Sequence, residues 1–307
     1  MKVIFVAFLF LRVQPLSAQT PSDTNFVGKK LITLSAVVVD NKLDVPAFIK
    51  KIEQDSSFYK AFKNLRILGY TAFNDVRMLN KKGNVQASLN SKTKQSVAGG
   101  CRTMEVLEET TFGDMYDENG AFNYYTANMY ASLFFTKGKV CGETNVVTGT
   151  QLDASNKGGM DKRKEQLKIL FFNPGRRITG IPFISNKTAI YDDEMADKYD
   201  MSIDLDLYNS NYCYIFTQTV KPNKKSSVVV DKMITWFNQE TMEVVARKYT
   251  LKYDAGIYDL DVDMEVQMKR FNNLTVPALI RYTGNWKVVS KKRERGIFTA
   301  TLHDFSN

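Results

Sequence analysis

The chain has 307 residues, of which 44% are hydrophobic, 12% aromatic and 24% charged, and it carries a formal charge of +9. This composition excludes a disordered, collagen-like or low-complexity chain, and the length suffices to bury an extensive apolar face. The positive excess favours anionic surfaces in general, but Lys and Arg are scattered with no accompanying stacking motif, so no nucleic-acid partner is expected.

Residues 1–18 combine Lys2, an apolar run from Val3 to Leu11, and the small residues Ser17 and Ala18. This is the shape of an export signal cleaved after Ala18. The run is too short for a bilayer, and no later segment supplies the roughly 20 continuous apolar residues that a spanning helix needs. The expected product is therefore an exported periplasmic protein, soluble or peripherally associated with the outer membrane, with residues 19–307 forming a single domain.

In chain order, Leu31 to Val39 is a β-rich run. Asp44 then caps a helical stretch over about residues 45–65, with Pro46 in the first turn, where a missing N–H is harmless. Phe48, Ile49, Ile52, Phe58, Tyr59, Phe62 and Leu65 form one aromatic-rich stripe, which either packs on a sheet or lines an apolar cavity. Leu68 to Leu79 and Val85 to Ser91 read as a hairpin. The aromatic segment that follows has strand-like pieces between Gly turns but no clear boundaries. It contains Cys101 and Cys141, the disulfide candidate pair, since both stand beside Gly at strand edges and export permits the bond. Cys213 reads as a packed strand residue. With no close Cys pair and one His in the chain, no metal site is expected.

A second helix is expected over residues 161–173, stopped by Pro174 and Gly175. Residues 188–307 read as an antiparallel meander, with a turn at Gly284-Asn285. Its clearest part is the stretch Met242 to Lys269, two strands in which Tyr258, Leu260, Val262, Met264, Val266 and Met268 alternate with polar residues. A period of two puts one face against apolar material and the other in water. The expected register lays Tyr253 opposite Tyr258, Tyr249 opposite Val262 and Arg247 opposite Met264, with Lys252 and Lys248 facing Asp259 and Asp263. The acidic row Asp259, Asp261, Asp263 and Glu265 is then a charge-paired outer face rather than a calcium or acid–base site. Arg247 stands out as a cation on the apolar face, able to snorkel, to pair with a buried carboxylate, or to meet an anionic head group.

Phosphate loops, dinucleotide fingerprints, HExxH and paired CxxC motifs are missing from the sequence, and His303 has no recognised nucleophile motif beside it. The chain therefore reads as non-enzymatic, with no catalytic residues and no cofactor. Trp236-Phe237 before the turn Asn238 to Thr241, Arg247-Lys248-Tyr249, Asp259-Leu260-Asp261-Val262, Pro277-Ala278-Leu279-Ile280, Tyr282-Thr283-Gly284-Asn285-Trp286 and Lys291-Lys292-Arg293-Glu294 resemble the outer-membrane lipoprotein-sorting, LolA-like periplasmic family of Bacteroidetes-type bacteria. The resemblance is strongest over residues 160–307. It implies a mostly β, α+β fold: a strongly curved antiparallel sheet or incomplete barrel, wrapped around two or three helices and holding an apolar ligand.

A long one-sided sheet with few helices must close, cover itself or leave a groove for an apolar guest. The expected function is that of a carrier for a lipid or lipoprotein acyl chain, with an envelope membrane protein as a possible partner. The expected walls are Trp236, Tyr249, Leu251, Leu260, Val262 and Met264 on the sheet and Phe48, Phe58 and Phe62 on the helices, with Arg247 at the mouth. The alternative is a non-catalytic envelope scaffold or protein-binding module whose core is filled.

Overall fold

A computed structural model describes residues 23–147, 152–153, 170–179, 186–254, 258–288 and 292–307. The export-signal stretch, residues 161–169 of the second expected helix, and the tip of the hairpin at 255–257 lie outside these. Among the described residues no helix is long and apolar enough to cross a membrane.

Thirteen strands build one curved, unclosed sheet. The N-terminal strands β1 (Asp23–Val27) and β2 (Lys30–Leu34) sit at one edge, followed by helices α1 (Ala36–Asp40), α2 (Val45–Gln54) and α3 (Ser57–Asn64). Then come β3 (Gly69–Leu79), β4 (Val85–Ala98), β5 (Cys101–Gly113), α4 (Tyr125–Phe134) and β6 (Val140–Cys141). Two short strands, β7 (Leu152–Asp153) and β8 (Ile178–Thr179), form a separate parallel pair. The meander is β9 (Tyr199–Tyr208), β10 (Asn211–Val220), β11 (Val230–Asn238), β12 (Val244–Asp254), β13 (Tyr258–Phe271), β14 (Leu274–Val288) and β15 (Glu294–Ser306). The spatial order is β1-β2-β9 through β15, then β3-β4-β5-β6. In this sheet only β2 with β9 is a parallel pair, as the antiparallel meander requires no crossover helices.

Local chemistry explains the elements that position the interior. Asp44 accepts a hydrogen bond from the Ala47 amide at 3.0 Å and Pro46 occupies the first turn, so α2 starts where the sequence places it. Asn209 and Ser210, both at positive φ, make the two-residue turn between β9 and β10. The β-rich run ends earlier than its composition suggests. Residues 36–40 are helical because β2 pairs with β9 only as far as Leu34 and Ile203, after which Val38 and Val39 donate back to the Ser35 carbonyl. Tertiary placement overrides the β preference of the three valines.

Three further expectations are corrected. The β12–β13 register is shifted by two residues: Tyr249 faces Met264, Arg247 faces Val266 and Lys252 faces Asp261. A slip of two preserves every side-chain face, so the apolar and wet sides stay as the alternation dictates. Gly284-Asn285 is not a turn but the middle of β14, and the turn lies at Asn272, which has a φ of 53°. Gly284 is needed for packing: a Cβ there would sit 1.9 Å from the Tyr282 hydroxyl. The Tyr282 ring stacks on Phe298 at 4.8 Å, above the cross-strand pair Gly284 and Gly296. Finally, Val245, which continuing the expected register would lay opposite Val266, is moved off it by the same shift, and a bulge where β11 meets β12 leaves Val245 without a partner on β11.

Candidate functional site

The inner face of the sheet and helices α2, α3 and α4 enclose one apolar cluster. From α2, Phe48 meets Tyr214 and Phe237 edge-on, with centroids 5.7 and 5.4 Å apart. From α3, Phe58 approaches Tyr249 at 6.5 Å, and Phe62 stacks on Phe172 at 4.1 Å. Leu251, Leu260, Val262 and Met264 complete the sheet side, all buried. The Tyr249 hydroxyl donates to the Phe171 carbonyl, and burial pushes this phenol well above its usual value. Eight of the nine expected wall residues thus share one interior. Trp236 does not join them: it is half-buried on the outer face and lies over Tyr208 at 5.1 Å, while its neighbours Thr235 and Phe237 point inward.

Arg247 is on the inner face but not at a mouth. It is 4% exposed, its guanidinium lies 4.3 Å from the Phe58 ring centre, and its Nε donates to the Thr235 hydroxyl at 3.0 Å. Among the described residues no carboxylate pairs with it. Arg176, also buried, donates to the Ile52 and Asp55 carbonyls at 2.7 and 2.6 Å and to Glu53, closing the C-terminal end of α2. Burial lowers the Arg176 pKa, Tyr191 opposes that, and the nearby charge of Arg247 lowers it further.

One pocket at the edge of this interior lies between α3, α4 and the β5–β6 edge. It has a volume of about 90 Å³ and is lined by Phe62, Leu133, Phe134 and Phe172 on its apolar side and by Lys63, Arg66, Arg102 and Glu143 on its polar side. Just inward is an apolar void of about 20 Å³ floored by Met264, Ile280, Tyr282 and Phe298. Leu133, Phe134 and Phe172 line both spaces and form the partition between them. The disulfide between Cys101 and Cys141 joins β5 to β6 beside the polar side. Arg102 follows directly in β5, and its Nε donates to Glu143, two residues beyond Cys141. Arg66 approaches the other Glu143 oxygen at 3.4 Å. Burial pushes the Glu143 carboxyl up, but the Arg102 hydrogen bond and the charges of Arg102, Arg66 and Lys63 outweigh it and hold the carboxyl below its ordinary range. Tyr70, facing the same pocket, is pushed up to about 12 by burial, against the pull of Arg102.

Phe62 was expected as a wall from the aromatic stripe, but the charged lining, Lys63, Arg66, Arg102 and Glu143, is not evident from sequence patterning. Their one linear signal is that Arg102 and Glu143 flank the two cysteines. The acidic row of β13 lies on the outer face, where Lys252 pairs with Asp261 at 3.4 Å, Arg281 with Glu265 at 3.3 Å, and Arg293 with Asp259. His303 is on the outer face of β15, stacked on Phe73 and 2.8 Å from the Asp304 carboxylate.

No family model and no curated protein matches the chain. The crystal structures similar to it include two of bacterial origin. One is a DUF1329 family protein from Desulfovibrio piger, with a TM-score of 0.25 and 11% identity over 81% of this chain and 90% of that one. The other is assigned as an outer membrane lipoprotein-sorting protein domain from Vibrio parahaemolyticus, with a TM-score of 0.27 and 9% identity over 81% of this chain and 91% of that one. Likeness at this level leaves the function to be argued from the residues.

Proposed function

We propose that this protein is an exported envelope carrier that holds the acyl chain of a lipid or lipoprotein, non-covalently, between its curved sheet and its helices. The observation that carries this reading is the shared partition. Leu133, Phe134 and Phe172 line both the pocket beside the β5–β6 edge and the small apolar void floored by the meander, so the two spaces adjoin through these three side chains. The two spaces, about 90 and 20 Å³, are smaller than a chain-like ligand needs, so on this reading the ligand enters by displacing these side chains. The partition is adaptable, because Leu133 and Phe134 belong to the last turn of a single helix and Met129 and Met264 border the void. The export-signal shape and the disulfide both suit an oxidising periplasm.

A second reading, the filled-core envelope scaffold, is favoured by the small size of the void, since a chain-like ligand needs a few hundred Å³. One experiment separates the two. A fluorescent fatty acid is titrated into the purified protein and into Phe134→Ala, and native mass spectrometry looks for acyl ligands that co-purify. The carrier takes up the probe, and Phe134→Ala takes it up faster or more tightly because the partition is thinned. A scaffold takes up no probe in either form, and Phe134→Ala there only loses stability, by less than the roughly 3–5 kcal/mol of a fully buried phenylalanine because Phe134 is half-buried.

A further inference from the structure

We propose that the ligand of this interior carries a negatively charged head group, a carboxylate or phosphate, seated in the entrance pocket against Arg66 and Arg102 while its chain runs inward past Phe134 and Phe172. The inference rests on the acyl-chain reading and names the substrate class within it. Among the described residues, the two guanidiniums of Arg66 and Arg102 line this pocket against one carboxylate, Glu143, with Lys63 beside them. Glu143 is already shared between two arginines, so the polar side keeps a positive excess. Arg102 is preorganised: Nη1 donates to the Gln95 side-chain oxygen at 3.2 Å and to Thr136, and Nε to Glu143. Gln95 is itself fixed by donating to the Leu65 and Leu68 carbonyls, both at 2.7 Å. A guanidinium held in this way offers its remaining N–H groups without further ordering, and guanidinium geometry suits a carboxylate or phosphate.

The layout also sets the ligand's direction. Cations lie on the solvent side and aromatic rings on the side of the void, so an amphiphile can satisfy both only with its head outward. As a chain fills the pocket it excludes water from Arg66 and Arg102. A neutral head group then leaves those charges less well solvated, a cationic one repels them, and an anionic one compensates them.

The test is calorimetric titration of the purified full chain with ligands of equal chain length, below their micellar concentrations. The ligands are dodecanoate, dodecyl phosphate, monolauroylglycerol and dodecyltrimethylammonium, with inorganic phosphate as the chainless arm. The anionic amphiphiles should bind about tenfold or more tightly than monolauroylglycerol at low salt, and that advantage should shrink as salt screens the pocket. Arg66→Gln, which removes the longer of the two Glu143 contacts at a partly exposed position, should weaken anion binding roughly three- to tenfold and leave monolauroylglycerol unchanged. Lys63→Gln provides an independent second variant. Equal binding of anionic and neutral amphiphiles overturns the head-group inference and leaves the carrier reading standing. An anion preference that survives both variants overturns the placement in this pocket. Inorganic phosphate binding as tightly as dodecyl phosphate makes the site one for a free anion and overturns the inference. No binding of any amphiphile overturns the inference and the carrier reading together.

Discussion

Arg247 is a buried cation whose neighbours are a phenylalanine ring and a threonine hydroxyl. Such a group costs stability, because cation–π attraction and one hydrogen bond return less than the hydration it loses. Arg247→Met keeps much of the side-chain volume and removes the charge. We expect it to unfold at the same urea concentration as the native chain or a higher one, with a gain of up to about 4 kcal/mol. A loss of 2 kcal/mol or more would show that the fold uses the cation. That Arg247 faces inward was legible from the period of two alone. Its depth was not, because Phe58, the ring covering it, belongs to a helix nearly two hundred residues earlier. Trp236 marks the opposite limit: Trp236-Phe237 offers two aromatics of which only one can face inward, and the choice is settled by pairing with β12. Gly284 shows a third kind of limit, where a Gly-Asn pair has the chemistry of a turn but the glycine serves the ring of Tyr282.

Among the elements, helix starts sort by where their caps come from. α2 is capped by Asp44, three residues before Ala47, and was readable as a local pattern. α4 has no cap hydrogen bond from its own N-cap residue, Tyr124. Glu294, at the start of β15, fills that place by accepting from the Tyr125 amide at 3.0 Å, the Thr126 amide at 2.7 Å and the Thr126 hydroxyl. A cap supplied 168 residues away leaves no trace in the helix's own sequence, which is why α4 was invisible within its aromatic segment. The contact also fixes the partition, because Leu133 and Phe134 lie at the other end of the same ten-residue helix. Glu294→Ala should destabilise the protein by about 1–3 kcal/mol, the range of a helix cap combined with charge-assisted hydrogen bonds. Glu294→Gln, which keeps an acceptor, should cost less. Hydrogen exchange localises the effect: the amides of Tyr125 and Thr126 should lose protection before those of β14. Unchanged exchange there would mean that packing alone docks α4.

At the scale of the molecule, the meander β9–β15 follows from alternation and short turns, so its strands and faces could be read in order. The junction of β15 with β3, which welds the two halves of the chain into one sheet, could not, because nothing local marks strands more than two hundred residues apart as partners. The far edge beyond that junction is the thinnest part of the sheet. β6 has two residues, and it is held by the Cys101–Cys141 bond and by the Glu143 bridge to Arg102 and Arg66. Closing a loop with a sequence separation of 40 removes about 4 kcal/mol of unfolded-state entropy on the chain-entropy model. The bridge adds a pH-dependent part of known sign. The folded Glu143 carboxyl titrates below its unfolded value, so its contribution is present above the ordinary Glu range, near pH 4.3, and is lost as pH falls through the folded value. Urea midpoints between pH 7 and pH 3 should therefore fall less steeply for Glu143→Gln than for the native chain. Reduction of the disulfide should lower the midpoint across that whole range. Reduction should also weaken anionic amphiphile binding at pH 7, because it loosens the edge that holds Arg102 in the pocket, whereas Glu143→Gln also frees the two arginines from their carboxylate. If reduction leaves stability and binding untouched, the edge is held by its strand pairing alone, and the pocket does not depend on an oxidising compartment.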